Sequence, residues 1–365
     1  MKKIRESNFE LMRIISMFFI VIYHFLVVSG GQLINHTTGF TKMFCELLSL
    51  LIIVHVNSFV LISGYFQYNK KTSFKKVTNL ISMALFYSIA IALIFDITGL
   101  SNTTLLGFVK VFSPIEFPNL WFLVMYIALY LLAPYLNVLI EKLNQQNHRK
   151  LLLLLFVMFS IIPIITYQNT FTNDGFTIIQ FIFLYLLGAY LKKYPTSQNI
   201  HFKNYSSKKK IIIFSFLFVV LGFFNYLLFF FSKTILEMNP GEFITYICNA
   251  IKSCSYLYSN PIVIIQSVCY FLIFENFNFK NKLINYISNS LFATYIITEN
   301  TYILPNLYRW VGINTGKIFN GFEIVGKMLL WAIIILITCI IIECIRKEVI
   351  NLLKKIVHHI KKETV

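Results

Sequence analysis

Charged side chains are scarce in this sequence. Asp, Glu, Lys and Arg make up 13% of its 365 residues, while 57% are hydrophobic and 17% aromatic, a balance that excludes a water-soluble domain of this length. Acidic residues are the scarcest, 15 against 32 basic ones, which leaves a formal net charge of +17. Such an excess on a solvated domain would point to nucleic acid. Here the basic residues sit in short connections beside apolar runs, so no nucleic-acid partner is expected and membrane topology accounts for them. The six cysteines are scattered with no CxxC pair, which excludes a redox motif and fits small buried apolar residues. His358 and His359 stand isolated in the basic tail, so no metal is expected. Phosphate-loop, nucleophile-elbow, HExxH and dinucleotide-binding signatures are all missing. With no internal repeat and no low-complexity linker, the chain reads as a single domain over 1–365.

What recurs instead is the apolar run of roughly twenty residues, the length that crosses a hydrocarbon core of about 30 Å. Spans are expected near 10–29, 46–67, 77–97, 119–140, 150–167, 176–191, 211–231, 257–275, 286–304 and 322–345. Backbone amides cannot stay unpaired in lipid, so the spans should be helices. The first carries Arg13 and His24 and lacks a small-residue cleavage site, so it is expected to be retained rather than removed as a signal peptide. Alternate connections differ in Lys and Arg content as the positive-inside rule requires. Seven basic residues fall on one side (Lys42, Lys110, Lys233, Lys252, Arg309, Lys317, Lys327), Arg13 lies within a span, and the other 24 fall on the opposite, cytoplasmic side. The expected fold is therefore all-α, a polytopic membrane protein of about ten transmembrane helices with both termini cytoplasmic.

Ionisable residues within a bilayer cost several kcal/mol unless paired or hydrated, which makes each a candidate site. Arg13 and His24 are eleven residues apart, about 16 Å along a helix and about 20° around it, so they share a face. An arginine near the inner surface suits a phosphate-bearing ligand, and a deeper histidine suits proton transfer. A snorkelling Arg13 and a His24 bonded to a neighbouring helix are the structural alternatives. His55 falls near the outer end of the second span, where water is expected to reach it. Glu299, flanked by Thr298 and Asn300, needs a proton or a partner, catalytic or structural. Ser63-Gly64-Tyr65 permits close helix approach and precedes Lys70, Lys71, Lys75 and Lys76, which suit topology, anionic lipid or a polyanionic cofactor. Trp121, Tyr126 and Tyr130 fit interfacial anchors, and Pro134 a kink.

Leu11-Met12-Arg13, ten intervening residues and then His24-Phe25 resemble the first-span Arg-x10-His signature of the acyltransferase-3 family of integral membrane acyltransferases. Phe59 to Phe66, with its Ser63-Gly64-Tyr65, resembles that family's second-span motif, and Leu120 to Tyr135 its fourth-span block. Tyr185 to Tyr190 and Ser288 to Asn300 are similar to later blocks, in the expected order. One departure is that Tyr295-Ile296-Ile297 is followed by Thr298 and Glu299 where many members place a histidine, which makes Glu299 the expected substitute. The resemblance implies transfer of an acyl group, usually acetyl, from cytoplasmic acetyl-CoA to a hydroxyl of a capsular or other cell-surface polysaccharide or its lipid-linked precursor, in a bacterial cytoplasmic membrane. On that footing His24 and Glu299 are the catalytic candidates, facing one interior cavity with Arg13. Arg13, Lys75, Lys76, Ser63 and Tyr65 are assigned to the acyl-CoA, and His55, Asn57, Trp121 and Tyr126 to the glycan acceptor. A transporter, flippase or polymerase of glycan intermediates is the alternative, since it too would carry many helices and intramembrane polar groups.

Overall fold

The computed structural model describes residues 6–28, 32–71, 73–100, 120–166, 173–195, 198, 202–312 and 318–363, with the backbone alone for Asn173, Tyr308 and 357–363. The expected topogenic charges at Lys2, Lys3, Arg5, Lys110 and Lys317 lie outside the described residues. The helices are α1 (Ser7–Leu26), α2 (Gly39–Ile52), α3 (His55–Gln67), α4 (Phe74–Ile97), α5 (Trp121–Lys142), α6 (Gln145–Thr166), α7 (Ile178–Lys193) and α8 (Ser207–Glu237). They continue as α9 (Glu242–Cys254), α10 (Pro261–Glu275), α11 (Lys282–Ser288), α12 (Leu291–Thr298), α13 (Leu304–Trp310) and α14 (Glu323–Glu363). Among the described residues there is no strand, only an isolated bridge between Thr37 and Phe319 that ties the loop before α2 to the segment before α14.

Among the described residues, seven helical stretches are long and apolar enough to cross a membrane: α1, the α2–α3 stretch, α4, α5, α6, α8 and α14 through Ile356. The other three expected spans hold shorter helices. Helices α7 and α10 have 16 and 15 residues, about 24 and 22 Å at the helical rise, against a core of about 30 Å. The expected span 286–304 is divided among α11, α12 and a turn that leads into α13. Helix α5 runs unbroken past Pro134. Helix α6 contains a π-helical turn, Val157–Ile161, just before Pro163, whose missing amide leaves a carbonyl of the preceding turn without its partner.

Burial sorts the helices. Helix α1 is buried on most sides, as expected of a helix apolar almost all round, and it packs against α2, α3, α10, α11, α12 and α14. Helix α8 turns Ile212, Phe216, Phe223 and Phe224 outward, and α14 does the same with Leu330, Ile337 and Ile341, which is the surface a lipid solvent selects.

The most extensive helix contact joins α3 to α7, and two glycines make it possible. A Cβ placed on Gly64 would lie 2.1 Å from the Tyr185 carbonyl oxygen, and one on Gly188 would lie 2.2 Å from that of Leu61. The second-span motif and the Tyr185 to Tyr190 block are thus the two halves of one backbone-to-backbone contact, the small-residue packing that membrane helices rely on.

Candidate active site

Helix α1 carries the site, and its start is fixed by side chains. Ser7 Oγ accepts from the Asn281 amide at 2.8 Å, and Asn8 donates to the Phe274 carbonyl at 2.8 Å, which anchors α1 to the end of α10 and the start of α11. Six residues on, Arg13 reaches a cavity of about 820 Å³ at the end of the bundle where α3 and α7 finish. Four cations and two carboxylates line it: Arg13, Lys70, Lys76 and Lys192 with Glu6 and Glu10. Each cation rests on an aromatic ring. Arg13 lies 5.9 Å and Lys70 5.5 Å from the Phe66 centroid, Lys192 lies 4.4 Å from that of Tyr65, and Lys76 lies 4.6 Å from that of Tyr130. Aromatic faces hold the charges in place without neutralising them. Glu10, one turn before Arg13, meets its guanidinium at 2.7 Å and accepts from Ser288 Oγ, which orients the fork.

Near the other end of α1, His24 Nδ1 stands 2.7 Å from Glu299 Oε1, a close polar contact between two buried atoms that make no aligned hydrogen bond among the described residues. Glu299 follows the last residue of α12, so its carboxylate sits at the negative end of a helix, a position that draws a cation or an N–H donor. The segment ends there because Asn300 Oδ1 accepts from the Tyr302 amide at 2.9 Å and turns the chain. With Nδ1 held by the carboxylate, His24 Nε2 is the nitrogen left to act. A carboxylate this close to one ring nitrogen biases the imidazole's orientation and tautomer.

The cavity lining takes in Arg13 and stops short of His24 and Glu299, so among the described residues this cavity does not join the two ends of α1 as expected. Phe122 stacks on the cavity residue Tyr126 with centroids 5.8 Å apart and meets Tyr295 edge-on at 5.8 Å. The Phe122 amide donates to Tyr295 Oη at 3.2 Å, and Tyr295 lies one turn before Glu299. These aromatic rings connect the two levels.

The expected acceptor residues divide. His55 is fully buried at the break between α2 and α3, where water was expected, because its ring packs between Tyr23 (4.9 Å) and Tyr258 (5.6 Å). Asn57 donates to the Tyr258 carbonyl at 2.9 Å, and Trp121 stacks on the Tyr258 ring at 6.1 Å. Tyr126 belongs elsewhere, with Lys76 at the basic cavity. Of the residues assigned to the acyl donor, Arg13, Lys76, Ser63 and Tyr65 line that cavity, while Lys75 is exposed and outside the lining.

Sequence reasoning missed Glu10, Lys192, Ser288 and Tyr258. Glu10 at three residues before Arg13 and Lys192 just beyond the Tyr185 block were available signals. Tyr258 gave none, since an aromatic at a span end reads as an interfacial anchor. No three His, Cys, Asp or Glu side chains gather as a metal set among the described residues.

An acyltransferase-3 family model, described as an acyltransferase domain, matches residues 6–345. The chain therefore belongs to that family and is a multi-pass membrane acyltransferase. No curated protein and no solved structure matches it.

Proposed function

We propose that this protein is an O-acetyltransferase that moves an acetyl group from cytoplasmic acetyl-CoA to a hydroxyl of a cell-surface polysaccharide or its lipid-linked precursor. In this reading the chain is one domain of about ten crossings in a bacterial cytoplasmic membrane, with both termini and the basic cavity on the cytoplasmic side. The observation that carries it is the 2.7 Å contact of His24 with Glu299, on the helix whose opposite end opens on the cation-lined cavity.

Arg13, Lys76 and Lys192 hold the phosphates of the donor, for which four ring-supported cations are suited chemically. The thioester arm then runs about 16 Å along α1, the helical rise from Arg13 to His24, past Phe122 and Tyr295. Glu299 keeps the Nδ1 proton of His24, so that Nε2 presents a lone pair. In direct transfer, Nε2 takes the hydroxyl proton while the acceptor oxygen attacks the thioester carbonyl; the C–S bond breaks and the thiolate leaves with that proton. In the relayed route Nε2 itself attacks the thioester carbonyl, the C–S bond breaks and the thiolate leaves; the acceptor hydroxyl then attacks the acyl-imidazole, the C–N bond breaks to restore the neutral ring, and the hydroxyl proton goes to the thiolate. Both routes use the same atom and the same carboxylate.

The test is NMR of the surface glycan from a deletion strain complemented with wild type or His24→Ala. The reading expects the O-acetyl signal to be absent without the gene, to return with the wild type and to stay absent with the variant. An unchanged acetylation pattern with lost glycan export would make the protein a transporter instead.

A further inference from the structure

Three fully or almost fully buried polar atoms on residues that contact Tyr258 have no hydrogen-bond partner among the described residues: His55 Nε2, on a ring 5.6 Å from the Tyr258 ring, and Asn57 Oδ1 and Gln180 Oε1, on side chains bonded to the Tyr258 carbonyl, the three residues being 0%, 0% and 1% exposed. Their chemical identity follows from what holds the other end of each side chain. Asn57 and Gln180 both give an amide N–H to the Tyr258 carbonyl oxygen, at 2.9 and 3.2 Å. A carbonyl oxygen only accepts, so the atom facing it is the nitrogen in each case, and the free atom of each amide is the oxygen. His55 Nδ1 lies 3.1 Å from the Ile53 carbonyl, which by the same logic places the proton on Nδ1 and leaves Nε2 a bare lone pair. All three unpartnered atoms are acceptors.

Leaving a buried acceptor unpaired is costly, and three of them on residues that all contact Tyr258 call for an occupant rich in donors. The three are neutral, and the carboxylate nearby, Glu299, is already engaged by His24, so the complement is a set of hydroxyl groups rather than an ammonium. The scaffold is stiff. Asn57 and His55 stand on α3 and Gln180 on α7, the two helices locked by the Gly64 and Gly188 contacts. It also lies beside the reactive pair, since Tyr23, next to His24 in the chain, packs on the His55 ring.

We propose that His55, Asn57 and Gln180 form an acceptor-only cradle that binds vicinal hydroxyls of the acyl-accepting sugar and presents a neighbouring hydroxyl to His24. This rests on the acetyltransferase reading and adds Gln180 as a residue that determines specificity. The cradle selects a polyol and disfavours an acceptor that offers a single alcohol.

The experiment uses the full chain in proteoliposomes, with acetyl-CoA as donor. The acceptor is surface glycan from the source cells, freed of O-esters by mild alkali and cut to oligosaccharides. Wild type, Gln180→Met and Asn57→Leu are compared for the KM of the glycan and the KM of acetyl-CoA. The cradle predicts that each variant raises the glycan KM about tenfold, the effect of one lost hydrogen bond with a donor left unpaired, while the acetyl-CoA KM stays within twofold. An unchanged glycan KM in either folded variant overturns the cradle and assigns the three acceptors to a bound water alone. If one variant does not fold, the other decides. A wild-type protein that transfers no acetyl group to the glycan sinks the acetyltransferase reading instead, and the cradle as a sugar site with it.

Discussion

His24 Nδ1 and Glu299 Oε1 meet at 2.7 Å although 275 residues separate them, joining the last turns of α1 to the end of the short helix α12. The contact gives an intramembrane histidine a fixed ring orientation and gives a buried carboxylate a counter-group, so that each removes the cost of the other.

Replacing that carboxylate by an amide keeps the shape and loses the charge. Glu299→Gln is expected to lower kcat for acetyl transfer about 100-fold or more, because an oriented base contributes about 10²- to 10⁴-fold. The KM for acetyl-CoA should change little, since the proposed site for the donor's phosphates is at the far end of α1. Steady-state kinetics that vary each substrate separate the two parameters.

At the basic cavity the expected signature is reversed. Lys192→Ala and Lys76→Ala each remove one ring-supported charge and should raise the KM of acetyl-CoA about tenfold, with kcat less affected. Lys75→Ala, whose ammonium lies outside the lining, should change it less. Binding isotherms with acetyl-CoA at two salt concentrations check this, with a weaker salt dependence in the first two variants.

The helix lock makes a stability prediction. Gly64→Ala or Gly188→Ala forces a methyl group to within about 2.2 Å of a backbone carbonyl oxygen, and neither backbone can move aside cheaply. A loss of about 1–3 kcal/mol is expected, read as a lower thermal midpoint in detergent. Gly326→Ala on α14, where nothing lies within 4 Å of the new methyl, is expected to leave the midpoint unchanged or raise it.

A second buried network anchors α14 to α4. Glu343, 1% exposed, accepts from Tyr87 Oη at 2.7 Å and from Arg346 at 2.7 and 2.8 Å. Glu343→Ala leaves the Arg346 charge largely buried without its carboxylate, so a loss of about 3 kcal/mol is expected. The thermal midpoint again reports it, and Glu343→Gln, which keeps a hydrogen bond to Tyr87, should lose less.

Much of this was legible in the residues. Helical spacing alone put Arg13 and His24 on one helix face, and the missing histidine after Ile297 drew attention to Glu299, which the structure brings to within 2.7 Å of His24. The glycine of Ser63-Gly64-Tyr65 announced a close approach. The breaks at Ile53-Val54 and after Thr298 were not legible, because hydropathy registers an apolar run whether or not the helix inside it is continuous. Broken backbone at membrane depth is tolerated where protein surrounds it, as it does at both places. For the same reason His55 looked like a boundary residue and is a core one. Gln180 was invisible because its meaning depends on sharing a carbonyl with Asn57 across two helices.

The most direct test is a single-turnover transfer in proteoliposomes with radiolabelled acetyl-CoA supplied on the face of the basic cavity and deacetylated glycan on the other. The account predicts label on the glycan with the wild type and a loss of at least 100-fold with His24→Ala at equal insertion. Undiminished labelling by that variant would contradict it.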